Sequence, residues 1–255
     1  MEILLHVIVA ALYGGFACKR DVNRHAILAP IILHAALLYR AISTPAGFDL
    51  GLANSFSAIA WMTAFTYWVS AFWYPLDSLK RGIAVLAAVG ALVPLLMPSH
   101  APIPMSGFFA FKAHLVIAML AYGLFTVAAL QALVMTIAER RLHGHEMTAS
   151  MQELPPLLTM ERLLFKIIAV GFVLLTLTLL SGMVFSEELF GRPLSFTHKV
   201  VFAIASWLIF AVLLAGRFVY GWRGKTALRW VWTGFVALIL AYLGSKFVLE
   251  IVLAR

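Results

Sequence analysis

The chain has 255 residues, 63% of them hydrophobic and only 12% charged, and a formal net charge of +8. A soluble domain is nearer half apolar and about a quarter charged, so a water-soluble fold is excluded. The apolar residues form continuous runs rather than alternating ones. Because a backbone in lipid must pair its own polar groups, such runs select transmembrane helices over a β-barrel.

Eight runs read as spans: Ile3–Ala17, Ala26–Ile42, Phe56–Trp73, Ile83–Met97, Phe108–Ala138, Leu163–Phe185, Val200–Tyr220 and Ala227–Leu253. Each reaches or nearly reaches the roughly 20 residues needed to cross ~30 Å at ~1.5 Å per residue. The first and fourth are short, and the fifth is long enough to emerge on one side. Together they predict an all-α, polytopic membrane bundle forming a single domain.

Charge in the connections sets the orientation. Lys19, Arg20 and Arg24 follow the first span, Lys80 and Arg81 the third, and Arg140, Arg141, Arg162 and Lys166 surround the fifth connection. Arg217, Arg223, Lys225 and Arg229 surround the seventh, which places thirteen of the 19 Lys and Arg residues on one side. Lys/Arg-rich connections stay cytoplasmic, so both termini are expected outside. The basic balance is thus a topology signal. Nucleic-acid binding does not fit it, because these residues sit in short loops between spans.

The first run is preceded by Glu2 and followed by Lys19-Arg20, the reverse of a secretory signal, so an uncleaved helix is expected. Cys18, the sole cysteine, is read as packing at its end. The longest polar stretch, Glu139–Glu161, is read as a cytoplasmic connection closed by Pro155-Pro156. Thr159 and Glu161 stand where a capping hydroxyl or an acid suits a helix start.

Histidine is the informative residue inside so apolar a chain. His25, His143 and His145 fall on the cytoplasmic side, whereas His6, His100, His114 and His198 fall at or near outer helix ends. His114 and His198 open the fifth and seventh spans at matched depth. Two such imidazoles either clamp a metal or haem iron from opposite sides or anchor in the headgroup region. His34 lies inside the second span, where a polar ring normally faces the bundle interior, as ligand, proton-transfer group or structural hydrogen-bonding residue. Arg40, Lys112, Arg192 and Lys199 lie near the outer surface, where they either pair with carboxylates of a bound anion or snorkel to the interface.

Trp61, Phe65, Trp68 and Phe72 form a stripe at helical spacing, suited to flanking a flat cofactor or to packing against other helices or lipid. The chain contains no P-loop, HExxH, Gly-x-Ser-x-Gly or Rossmann fingerprint, and no intramembrane carboxylate pair. A hydrolase or ion-coupled transporter is therefore disfavoured, and a non-enzymatic role is expected.

The stretch Ser195 to Phe247, and above all Gly221-Trp222-Arg223-Gly224-Lys225, resembles the end of cytochrome c assembly (CcsA/CcmC-type) membrane proteins. HLVIAMLAYGLFTVAALQALV from His114 and Asn54-Ser55-Phe56 leading into Trp61 resemble the same family. ELPPLLTMERLLFKI followed by LLTLTLLSG is similar to its YpjD/HemX-like branch. The resemblance implies haem presented on the outer face to cytochrome c maturation components, with His114 in the position of the first outer haem histidine. The second family histidine follows the last helix, where this chain has Gly244-Ser245-Lys246-Phe247-Val248-Leu249. The tryptophan-rich outer segment is replaced by SEELFGRPLSFTHK, which has no Trp, and His198 lies where that segment would end.

The expectation is an inner-membrane protein that handles non-covalent b-type haem in cytochrome c biogenesis or a related haem-linked process. His114 and His198 are the expected iron ligands, His34 a third ligand or an internal support, and Arg40 and Lys112 further cofactor-binding residues. A haem-free scaffold or regulator of another inner-membrane protein is the second reading. A carrier using the space around His34 is the third.

Overall fold

In the computed structural model, which describes residues 2–19, 23–45, 47–97, 102–103, 109–143, 155–190 and 197–252, each apolar run becomes a helix. They are α1 (Glu2–Cys18), α2 (Leu28–Ile42), α3 (Leu52–Ser70), α4 (Lys80–Leu96), α5 (Phe109–His143), α6 (Leu157–Phe190), α7 (His198–Tyr220) and α8 (Gly224–Ile239). α8 runs on through π-helical Leu240–Gly244, the short α-helix Ser245–Phe247 and π-helical Val248–Val252. Residues such as His100, His145, Arg192 and Arg255 lie outside the described residues.

Among the described residues, six helices are long and apolar enough to cross a bilayer. α1, at 17 residues, is shorter, and α3 is not among the six although it has 19 residues. The reason for α3 is its setting. Twelve of its residues are buried, including Asn54, Ser55, Ser57, Thr63 and Thr66, so it meets protein rather than lipid and does not need an apolar surface.

The helices form two four-membered groups. α1 packs on α2 and α4, and α3 completes that ring against the same two neighbours; α5, α6, α7 and α8 close a second ring, which α3 joins to the first through α5. α3 approaches α4 closely because Gly90 has no side chain: a Cβ there would overlap that of Ala60. Its hydroxyls satisfy themselves locally, Thr63 donating to the Ile59 carbonyl at 2.7 Å and Thr66 to the Thr63 carbonyl at 3.1 Å. Gly51 precedes α3 and offers no capping side chain, and Glu250 from the end of α8 accepts the Leu52 N–H instead, at 2.8 Å.

A small antiparallel sheet, not expected from the sequence, ties two connections together at one end of the molecule. β1 (Ser43–Thr44), β2 (Gly47–Asp49) and β3 (Pro102–Ile103) lie in that order, with Ser43 opposite Phe48 and Phe48 opposite Ile103. The Arg40–Glu2 ion pair (3.2 Å) is at the same end, so α1 begins and α8 finishes on the side where α2 ends. Lys and Arg of the short connections gather at the opposite end. There Lys80 donates to the Lys19 carbonyl and the Lys166 ammonium lies 5.4 Å from the Tyr74 ring centre.

α5 and α6 extend beyond their expected limits at that basic end. Pro155-Pro156 sets where α6 begins, since Pro suits a first helical turn, and the Pro156 carbonyl accepts the N–H groups of Thr159 and Met160. Glu161, one turn in, does more than cap. Its buried carboxylate pairs with Arg217 at 2.8 Å and Arg223 at 3.1 Å and accepts the Gly224 N–H at 3.2 Å. The Gly221-Trp222-Arg223-Gly224 string thereby acquires a structural meaning. Gly221 ends α7 in the left-handed region at φ 65°, a conformation that favours glycine, and turns the chain so that Arg223 and Gly224 meet Glu161.

Removing one partner of a buried pair costs about 3–5 kcal/mol, whereas an exposed pair contributes about 1 kcal/mol or less. Glu161→Gln is expected to lose about 3 kcal/mol in denaturant unfolding of the purified protein. Arg223→Gln, with a side chain 55% exposed, is expected to lose about 1 kcal/mol or less. Equal losses would contradict this ranking.

Candidate functional site at the weakly basic end of the bundle

The five residues expected at a cofactor site have separate surroundings. His34 is in the heart of the first ring, 1% exposed. Its Nε2 is 2.9 Å from the Ser57 hydroxyl of α3 and its Nδ1 3.4 Å from the Tyr13 hydroxyl of α1. The Tyr13 ring meets it edge-on at 5.8 Å. Both ring nitrogens therefore face hydroxyl partners, the arrangement of an internal support that fastens α2 to α1 and α3.

Arg40 and Lys112 lie apart from His34, each with its own partner. Arg40 is exposed and paired with Glu2, while the Lys112 ammonium lies 5.9 Å from the Phe48 ring centre of β2. Beside Lys112 is a cavity of about 680 Å³ between α2, α3 and α5, lined by Leu38, Trp61, Met62, Leu115, Val116 and Met119 among others. Trp61 of the aromatic stripe also donates its indole N–H to the Ile31 carbonyl at 2.8 Å. The stripe thus packs α3 on α2, with successive rings 5.7, 6.2 and 5.2 Å apart.

His114 lies elsewhere. Two residues along a helix of 3.6 residues per turn is a rotation of about 200°, so Lys112 and His114 occupy opposite faces of α5. The cavity is on the Lys112 face. His114 points into the second ring, where its Nδ1 is 2.7 Å from the Ser181 hydroxyl of α6. The same hydroxyl lies 2.7 Å from the Leu177 carbonyl and 3.2 Å from that of Thr178; where its proton goes to those carbonyls, its oxygen accepts from His114 Nδ1. A neutral imidazole that donates from Nδ1 carries its lone pair on Nε2, and a second hydrogen bond of this kind orients metal-binding histidines. Gly182, next to Ser181, has no side chain to crowd the ring; a Cβ there would lie 3.4 Å from Cε1.

His198 opens α7, across the second ring from α5, and is exposed. Its neighbour Lys199, about 100° further round the helix, is within Coulombic range of His114 and lies 5.1 Å from the Tyr242 ring centre of α8. Tyr242 belongs to the π-helical stretch of α8 and bonds Ser55 at 3.0 Å. Its ring is 6.0 Å from that of Tyr122, whose hydroxyl donates to the Leu238 carbonyl at 3.0 Å. Such bulges recur at functional sites. Elsewhere in the ring, the buried Phe125 and Phe210 stack at 4.1 Å.

Among the described residues no group of three or more His, Cys, Asp or Glu is arranged to hold a metal ion. The donor set at this end is imidazole and ammonium, which fits an iron porphyrin with anionic side chains better than a bare cation. The stretch Gly244–Leu249, which has no histidine, has another role: Lys246 pairs with Glu250 at 3.4 Å, the same glutamate that caps α3.

Residues 23–253 match the family model described as cytochrome C assembly protein. The chain belongs to this cytochrome c assembly family of multi-pass membrane proteins. It is similar to inner membrane protein YpjD of Escherichia coli K12, 35% identical over 139 residues, covering 54% of this chain and 52% of the relative. An uncharacterized 28.8 kDa protein of Azospirillum brasilense is 30% identical over 170 residues, 66% of this chain and 63% of that one. The cytochrome c biogenesis protein CcsA of Prochlorococcus marinus AS9601 is 40% identical over 88 residues, 34% of this chain and 28% of that one. The chain spans about half the length of the YpjD relative in this match. No solved structure matches. With its apolar helices and these relatives, the protein is a multi-pass protein of the inner membrane.

The pairing of His34 with Ser57 is open to a direct check. An orphaned buried hydroxyl costs about 1–3 kcal/mol, so His34→Phe is expected to destabilise the purified protein by that amount. Ser57→Ala introduced after it should add almost nothing. A full additional cost for the second substitution would show that the two side chains are not coupled.

Proposed function

We propose that the protein handles haem in cytochrome c assembly, without catalysing bond chemistry, at the end of the α5–α8 ring that carries His114. The positive-inside distribution makes that end the outer one, with both termini outside. The observation that supports the reading is the 2.7 Å contact between His114 Nδ1 and the Ser181 hydroxyl, the kind of second hydrogen bond that orients metal-binding histidines.

His114 and His198 would hold the iron of a non-covalent b-type haem, which when bound supplies the group that maturation components attach to apocytochrome. Lys199 pairs with a haem carboxylate from its place beside His114. Lys112 and Arg40, on other faces, act at the rim, and His34 serves as support. Ser181 keeps the His114 ring in one tautomer. Maturation components of the membrane are the partners this reading requires.

A haem-free scaffold is the second reading, favoured by the use of the Gly244–Glu250 stretch to cap α3 rather than to supply a histidine. Absorption spectra separate the two. Purified protein reconstituted with haem should show a Soret band that falls at least tenfold in occupancy in His114→Ala. Loss of a supporting hydrogen bond costs about 10–100-fold in metal affinity, so Ser181→Ala should weaken it as well. Since the ligating ring must be neutral, occupancy should fall in acid. A colourless wild type, or a band unchanged in His114→Ala, would favour the scaffold.

A further inference from the structure

The opposite end of the molecule holds a cavity that the haem reading does not use. It has a volume of about 780 Å³ and lies between the end of α5 and the start of α8. Arg140, Lys225 and Arg229 line it, with Glu139 and Trp232. Three cations against one carboxylate leave it two positive charges in excess. None of the three cations has an ion pair among the described residues.

The walls of the cavity continue as apolar surface. One and two turns from Arg140, Ile137 and Leu133 of α5 are 42% and 41% exposed; on the facing side, Val236 and Leu240 of α8 are 52% and 41% exposed. Eleven residues separate Arg229 from Leu240, a rise of roughly 16 Å at ~1.5 Å per residue, about half of a ~30 Å hydrocarbon core. A basic collar at the membrane surface above an apolar track one leaflet deep matches a diacyl lipid, whereas a soluble anion would use only the collar. Trp232 stands between the two, where indole rings favour the headgroup level.

We propose that this cavity binds an anionic phospholipid of the cytoplasmic leaflet, its phosphodiester held by Arg140, Lys225 and Arg229 and an acyl chain lying along Ile137, Val236 and Leu240. Basic pockets between helices on this side of a membrane suit such headgroups. A zwitterionic lipid carries a cation of its own into the collar and is disfavoured. The site is independent of haem and would fasten α8 to α5 from the lipid side.

Native mass spectrometry of the full chain released from mixed phosphatidylcholine and phosphatidylglycerol bilayers tests the proposal. Phosphatidylglycerol should be retained in several-fold preference. A cation near an anionic surface contributes about a fivefold factor, so Arg140→Gln/Lys225→Gln/Arg229→Gln should abolish the preference. Lys19→Gln/Arg81→Gln/Arg162→Gln, an equal loss of charge at the same end, should preserve it. Val236→Trp, which fills the track and leaves the collar intact, should reduce retention and keeps the proposal testable if the triple variant does not fold. Equal retention of the two lipids, equal loss in both triple variants, unchanged retention in Val236→Trp, or displacement of the lipid by millimolar inorganic phosphate would each overturn it.

Discussion

A polar group inside a bilayer has no water to turn to, so each must find its partner within the chain. α3 is where that constraint is met most heavily. It carries hydroxyls and an amide among its apolar side chains, and it is surrounded by α2, α4 and α5. His34 depends on its Ser57, Tyr242 on its Ser55, and its own first turn depends on Glu250 of α8. The two rings of helices are held in register because the polar contacts of one are completed by the other. The same rule explains the basic end, where a single glutamate satisfies two guanidinium groups and a backbone N–H from the next helix pair.

Much of the fold was legible in the sequence because apolar run length is a local property. Each expected span became a helix, and the Pro155-Pro156 pair marked a true helix start. Contacts between distant segments were less legible. In the sequence Glu161 reads only as an acid near a helix start, and nothing local links it to the Gly221–Lys225 string. Their union through one carboxylate needs the fold to bring together residues about sixty apart. The three-stranded sheet was missed because strands of two or three residues have no periodicity to detect.

The site was partly legible. His114 stands at the expected helix start, and its Ser181 partner sits in the LLTLTLLSG string of α6. The separation of Lys112 from His114 was available from helical geometry alone, since residues two apart cannot share a face. Lys199 rather than Lys112 is the cation beside His114. His34 was the hardest to read, because a buried imidazole looks the same in sequence whether hydroxyls or a metal surround it.

The chain has a polar spine, a basic end closed by ion pairs and a weakly basic end that carries His114, Lys199 and Tyr242. Electron paramagnetic resonance of the ferric, haem-reconstituted protein tests the central role of His114 most directly. With His114 as an iron ligand, a low-spin signal is expected that is lost in His114→Gly and restored by adding free imidazole, which refills the vacated ligand position. A low-spin signal that survives the substitution, with no response to imidazole, would contradict it.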